Sequence, residues 1–150
     1  MPDHATVARD LIDSSQYLTL ATADGDGRPW ASPVWFAHDS YERFVWVSKP
    51  EARHSRNVAA RPEAGIVIFD TSVPIGTGQA VYVEATVAPA EGAAEERLLQ
   101  VFSDRSEALG GQGWTPEDVR PPSALRLYVA TASAHFILGA TDERIPVRLD

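Results

Sequence analysis

The sequence predicts a mainly β, α+β fold in which six antiparallel strands close into a small barrel with helices packed outside. Short β-rich runs separated by Gly, Pro and Asp turn signals recur along most of the 150 residues. Between them lie two longer stretches with apolar residues at helical spacing. No repeat or linker is visible, so we expect one domain over residues 1–150, large enough to bury roughly 68–70% of its unfolded surface.

The strand predictions rest on alternation and on short apolar runs. The segment "QAVYVEATV" has the clearest period of two, whereas "RFVWVS" and "AGIVIFD" are apolar on both faces, as in strands covered from both sides. Pro33 places its strand at an edge or a bulge. The predicted strands cover residues 17–23, 29–39, 43–48, 64–70, 79–87 and 124–138.

The helix predictions rest on apolar spacing and on capping signals. Asp3 is a plausible N-cap for a helix over residues 4–15, and Leu98, Val101 and Phe102 mark a second helix over 91–109. The segment "TPED" predicts a short helix that starts with a cap and a proline. Between these, "SKPE" at residues 48–51 has the form of a Ser-x-x-Glu capping box, which predicts a helix that ends before Pro62.

Composition excludes several classes of function. The formal net charge of −8 argues against a nucleic-acid partner, because phosphate backbones require a broad basic surface. Zero cysteines exclude disulfides and thiolate metal sites, and the four histidines lack the spacing of zinc ligands, so we expect no metal. No apolar run approaches the roughly 20 residues that span a bilayer, and no secretory signal is visible, so we expect a cytoplasmic protein without a membrane partner.

One basic cluster stands out in this acidic chain. The segment 48–57, "SKPEARHSRN", contains the only lysine together with Arg53, His54 and Arg56, at the start of a predicted helix. Free backbone N–H groups, the helix dipole and a guanidinium together favour a phosphate group. A solvated helix, whose arginines pair with Glu51 and Glu63, explains the same residues equally well on the sequence alone.

Four segments resemble the pyridoxamine 5'-phosphate oxidase-like family, the flavin-binding split barrels, over about residues 10–148. "DGDGRPWASPVWF" resembles the first hairpin of the family, and "FVWVSKPEARHSRNV" its strand–turn–helix that holds the flavin phosphate. "QAVYVEATV" is similar to a strand with a flavin-binding glutamine, and "GATDERIPVR" resembles a tail with two arginines four residues apart. The resemblance implies a six-stranded split barrel with flanking helices, which dimerises and binds one flavin in each of two interface clefts.

The resemblance also assigns residues. It implies that FMN is held by Ser32, Pro33, Val34, Val47, Ser48, Arg53, His54, Asn57, Gln79 and Arg148, with Arg144 on the substrate. His54 stands where the family has lysine, which implies a weaker or pH-sensitive phosphate contact. The tail also lacks the tryptophan and the histidine of the family, the latter replaced by Pro146, so the resemblance does not extend to oxidation of pyridoxamine phosphate.

The function implied by this resemblance is an FMN-dependent oxidoreductase that acts on an unknown small molecule. The flavin supplies the redox chemistry, so no catalytic side chain is assigned. Two alternatives remain open. The first is a reductase that uses the deazaflavin F420, whose acidic tail would be bound by Arg56 and Arg61. The second is a non-catalytic flavin-binding or storage protein.

Overall fold

The computed structural model describes residues 2–150 as one antiparallel sheet with three flanking α-helices. In chain order the elements are α1 (His4–Ser14), β1 (Tyr17–Ala23), β2 (Pro29–Trp35), β3 (Ala37–Asp39), β4 (Arg43–Ser48), α2 (Arg53–Ala60), β5 (Glu63–Phe69), β6 (Ala80–Pro89), α3 (Gly92–Ala108), a 3-10 helix (Pro116–Val119), β7 (Arg126–Leu138) and β8 (Arg144–Val147). Within residues 2–150 no helix is long and apolar enough to cross a membrane.

The sheet curls into a half-barrel because one chain segment supplies both of its edges. The strand order is β2-β1-β5-β6-β7-β4-β3, with β8 paired to β7. The edge strands β2 and β3 are separated only by Phe36, so the curled sheet brings its two ends together at a bend in a single segment. This confirms the predicted split-barrel architecture, and Pro33 lies in an edge strand as its missing N–H requires.

The structure has eight strands rather than the six expected. Residues 29–39 were predicted as one strand, but the chain turns at Phe36 and pairs with β1 before the bend and with β4 after it. The tail adds β8, where Ile145 pairs with Ile137. The predicted strand over 124–138 forms the single strand β7. It pairs with β6 along its length, and the pairing register shifts between Glu84 and Ala85.

Two apolar clusters hold the sheet, and β4 belongs to both. Phe44 and Trp46 point into the barrel interior with α1 and α2, whereas Val45 points outward into the cluster formed by α3. All three side chains are at most 1% exposed. The prediction that this strand is apolar on both faces is therefore confirmed, and its burial fixes where the following turn and helix begin.

The helix after β4 starts later than the sequence suggested. The Ser48–Glu51 capping box is not formed: α2 begins at Arg53 with Ala52 as its N-cap and no side-chain cap, after a turn in which the Ala52 N–H bonds the Lys49 carbonyl at 3.1 Å. The Ser48 hydroxyl is used elsewhere, as described below. The first N–H groups of α2 therefore lack a side-chain acceptor. The other two caps are confirmed, since Asp3 caps α1 and Thr115 caps the 3-10 helix.

A polar network ties the β3–β4 turn to α1. Asp13 accepts bonds from the Tyr41 hydroxyl at 2.6 Å and from His38 Nε2 at 2.7 Å, while His38 Nδ1 accepts the Tyr41 N–H. Tyr41 and Ser40 have left-handed backbones, with φ of 59° and 55°. The network holds this strained turn in place. The bond to Asp13, followed by burial, raises the pKa of Tyr41 to about 12.

We expect Tyr41→Phe to lower the free energy of unfolding by about 1 kcal/mol near neutral pH, the scale of one hydrogen bond. Because the folded-state pKa of Tyr41 exceeds that of the unfolded chain, this contribution is complete below pH 10 and is lost as the pH rises towards 12. Urea unfolding at pH 7, 10 and 11.5 measures the difference between the two proteins. Tyr17→Phe, at a 60% exposed position, is the matched control and should change nothing. A pH-independent difference would contradict the assignment.

Candidate functional site

A cavity of about 480 Å³, here called the β2–β4 cleft, lies between the ends of β2 and β4 and the helices α2 and α3. It is lined by Pro33, Val34, Trp35, Val47, Ser48, His54, Phe102, Ser106, Gln112, Trp114 and Leu125. Five of the residues assigned by the resemblance therefore converge on one cavity. None of the lining side chains is Asp, Glu, Lys or Arg, which is unusual in a chain that is 23% charged.

Ser48 and His54 form a polar pair in the wall of this cleft. The Ser48 Oγ lies 2.9 Å from the Nε2 of His54, across the turn that separates β4 from α2. Burial lowers the pKa of His54 below its usual value of 6.5, so the imidazole is neutral at pH 7. The pair places a hydroxyl and an imidazole beside the uncapped start of α2, where both can bind an anionic oxygen.

Arg53 is adjacent to His54 but lies outside the lining of the cleft. Its guanidinium carbon is 4.2 Å from the ring centroid of Trp30, an aromatic side chain that is 42% exposed. Its charge also contributes to lowering the pKa of Asp24, after the larger effect of the Arg28 backbone N–H. Arg53 is thus held by cation–π contact at the first residue of α2, next to the cleft.

Two of the assigned cofactor residues have other positions. Asn57 is only 4% exposed and donates from Nδ2 to the Thr22 hydroxyl at 3.0 Å, so its side chain joins α2 to β1. Ser32 lies in β2 opposite Leu20 and is not among the residues that line the cleft. The tryptophans of β2 and β4 also have different surroundings: Trp46 is core, whereas Trp35 lines the cleft and Trp30 is exposed.

Gln79, Arg144 and Arg148 lie away from the cleft within this chain. Gln79 lines a broad groove beside the β5–β6 loop, and Arg144 stacks on Tyr82 at 4.5 Å above an apolar groove on the sheet. Arg148 is exposed and bonds Asp150 at 2.9 Å. A single copy therefore does not bring these three side chains to the residues around His54.

The sequence missed the wall that α3 and the following loop contribute. Phe102 packs edge-on to Trp35, with ring centroids 4.5 Å apart, and to Trp114 at 5.5 Å. The loop is anchored by a bond from the Trp114 N–H to the Ser103 hydroxyl at 2.8 Å. Phe102 was predicted on the apolar face of its helix, but nothing in the spacing indicated that this face reaches β2 across an open cavity.

The cleft is suited to binding a planar, uncharged ring with a phosphate beside it. Its aromatic and aliphatic walls match a ring system, and Ser48, His54 and the start of α2 provide polar groups at one side. Among residues 2–150 no group of three or more His, Cys, Asp or Glu side chains is placed to hold a metal ion. The lining contains no ionised acid or base that would by itself carry out bond-breaking chemistry.

The half-barrel and this cleft define a split-barrel protein with an uncharged cavity beside its strand–turn–helix. The profile of the Pyridoxamine 5'-phosphate oxidase family matches residues 6–136, and the chain belongs to that family. No curated protein matches the chain in sequence.

Solved structures share the fold at low sequence identity. A heme binding protein from Mycobacterium smegmatis is 22% identical, with a TM-score of 0.79 over 99% of this chain, and the chain spans 59% of that protein's length. The heme storage protein HutZ from Vibrio cholerae is 19% identical, with a TM-score of 0.68 over 88% of this chain and 92% of its own. An F420 reductase is 21% identical, with a TM-score of 0.58 over 90% of this chain and 98% of its own.

We expect Arg53→Ala to weaken binding of FMN by about 1.5–3 kcal/mol, the scale of a charge-assisted hydrogen bond, or roughly 10- to 150-fold. Fluorescence titration of FMN into cofactor-free protein measures the change. Arg56→Ala is the control, because Arg56 is exposed on the same helix, three residues away. If the parent and Arg53→Ala bind FMN with equal affinity, Arg53 does not contact the phosphate.

FMN affinity should rise as the pH falls from 8 to 6.5. A neighbouring phosphate stabilises the protonated imidazole, so binding reverses the lowering of the His54 pKa and takes up a proton. The range stops at 6.5 because the phosphate itself loses charge near pH 6. His54→Gln should flatten the dependence, and proton uptake in two buffers of different ionisation enthalpy, measured calorimetrically, checks it independently. If the pH dependence of FMN affinity persists in His54→Gln, the proton is taken up by a group other than His54.

Proposed function

We propose that this chain binds FMN in the β2–β4 cleft and acts as a flavin-dependent oxidoreductase on a small molecule. The observation that carries the proposal is the convergence of Pro33, Val34, Val47, Ser48 and His54 on one uncharged cavity beside Arg53 and the start of α2. When bound, the flavin supplies hydride or electron transfer. The protein's part is to hold the ring against aromatic and aliphatic walls and to bind the phosphate.

The side chains divide these tasks by their chemistry. Arg53, His54 and the Ser48 hydroxyl would hold the phosphate, since they bring a guanidinium, an imidazole and a hydroxyl to the first turn of an uncapped helix. Val34 and Val47 would contact one face of the ring, and the wall of α3 would exclude water. No residue is assigned as a general acid or base.

F420 is the first alternative, and a cluster of arginines supports it. The backbone N–H of Arg28 and, to a smaller extent, the charges of Arg28 and Arg53 lower the pKa of Asp24 in the β1–β2 turn. Arg61 donates to the Gly25 carbonyl of the same turn at 3.0 Å. These three charges gather at the β1–β2 turn, where they could bind an acidic cofactor tail. The F420 reductase that shares this fold also favours F420 as the cofactor.

Haem is a second alternative, favoured by one observation. His54 is a half-buried, neutral imidazole in an apolar and aromatic cavity, and neutral histidine in such a setting is a common axial ligand of haem iron. Two of the structures with this fold are named for haem binding or storage. With haem, or with a flavin that does not turn over, the chain would be a binding or storage protein rather than an enzyme.

A homodimer completes the proposal, with each cofactor at the subunit interface. Gln79, Arg144 and Arg148 do not line the cleft of their own chain, so they could contribute to such a site only from a second copy. The large side chains of Tyr17, Phe69 and Ile75 are 60%, 51% and 105% exposed, and a second copy could cover them. The two-fold symmetry of such a pair gives two equivalent clefts.

The decisive experiment loads cofactor-free protein separately with FMN, F420 and hemin, removes excess ligand, and records the spectrum and the mass of what remains. We expect one FMN per chain, sedimentation as a dimer, and turnover of a reducible aromatic acceptor when a reductant such as NADPH or dithionite is added to reduce the flavin. Retention of F420 or hemin in preference to FMN would show that FMN is not the cofactor. Tight FMN binding without turnover would show that the protein binds or stores flavin and is not an oxidoreductase. A monomer that retains none of the three would overturn the whole proposal.

A further inference from the structure

A second cavity, of about 490 Å³, lies on the other side of α2 from the cleft. Its walls come from α2, the end of β6, the start of α3, the 3-10 helix and the start of β7. The apolar part of the lining includes Val58, Ala90, Val119, Leu127 and Tyr128. The volume is in the range of cavities that bind small organic molecules, and it shares no lining residue with the cleft.

One wall of this cavity carries a guanidinium without a carboxylate partner. Arg126 is half-buried, and its NH1 donates to the carbonyls of Ser123 and Leu125, both at 2.6 Å. Within residues 2–150 it makes no ion pair. The two carbonyls fix its position but leave its charge uncompensated, which is costly for a partly desolvated cation.

The other charged residues at this cavity do not change that balance. Arg120 pairs with Glu95, with Nε 2.8 Å from Oε1, so these two cancel each other. Glu91 lies at the exposed rim and forms no ion pair in the described chain. Of the two charges at this cavity that are unpaired within residues 2–150, Glu91 is exposed to solvent and Arg126 is half-buried, so burial penalises that of Arg126.

A second unmet group lines the same cavity. Ser55 is 3% exposed, and its hydroxyl has no hydrogen-bond partner within residues 2–150. A buried hydroxyl without a partner costs free energy and is uncommon in folded proteins. Apolar walls, an uncompensated cation and an unpartnered hydroxyl together describe a site for a molecule with an apolar body and a negatively charged oxygen group.

We propose that this second cavity binds a small carboxylate with an apolar body, its carboxylate paired with Arg126 and within reach of Ser55. The planar fork of the guanidinium fits a carboxylate by two parallel hydrogen bonds, and the remaining wall fits a hydrocarbon chain or ring. The proposal is independent of the flavin, because it stands whichever cofactor the β2–β4 cleft binds.

The test compares octanoate with octan-1-ol, which has the same chain length and no charge. Calorimetric titration of the full-length protein should give saturable 1:1 binding of octanoate, at least tenfold tighter than of octanol. Arg126→Gln should weaken octanoate about tenfold or more and leave octanol unchanged. Ser55→Ala should weaken both ligands by a smaller factor, because the hydroxyl can bond either oxygen group.

Arg43→Gln is the matched control. Arg43 and Arg126 lie at opposite ends of the β4–β7 ladder, opposite Thr131 and Ser48 respectively, so the same charge is removed far from the cavity. Absence of octanoate binding, equal affinity for octanoate and octanol, or an equal loss in Arg43→Gln would each overturn the proposal. The comparison of the two ligands needs no variant, so it decides the matter even if Arg126→Gln fails to fold.

Discussion

The structure depends on the burial of β4 from both sides. Phe44 and Trp46 close the barrel interior while Val45 anchors α3, so the strand cannot shift by one residue without moving apolar side chains from one cluster to the other. That constraint fixes the position of Ser48 at the strand's end. The turn that follows brings His54 back to Ser48. Helix α2 begins at Arg53, the residue before His54, and has no side-chain cap.

The same constraint explains why the helix start is available to a ligand. A hydroxyl that caps its own helix accepts hydrogen bonds from the first backbone N–H groups, so these groups are no longer available to a ligand. Here Ser48 bonds His54 instead, so the hydroxyl and the imidazole lie at one wall of the cleft, next to a helix start whose first N–H groups have no side-chain cap. The failure of the capping-box prediction and the presence of a candidate anion site have one physical cause.

Local patterns in the sequence specified most of the fold. Alternation predicted β1 and β6, and continuous apolar runs predicted β4 and β5. Asp3 and Thr115 were correctly predicted as caps. The bend at Phe36 was missed because the residues on either side are equally apolar and β-rich, so only the pairing with β1 and then β4 distinguishes them. The candidate site was only half visible. Val47, Ser48 and His54 are consecutive or nearly so in the chain, whereas Phe102 and Trp114 reach the cleft through packing that no spacing encodes.

Helix α2 has eight residues and forms a wall of both cavities, with His54 on one side and Ser55 on the other. A helix of about two turns has little stability of its own, so its position is set by what packs against it. Asn57 and Val58 bind it to the barrel, through Thr22 and the main core respectively, and these contacts define one resting position. If the occupants of the two cavities favour different positions of α2, each occupant changes the affinity for the other. By linkage, these two changes in affinity are the same factor. Helix α2, which contributes a wall to each cavity, is thus one physical connection through which the two cavities could be coupled.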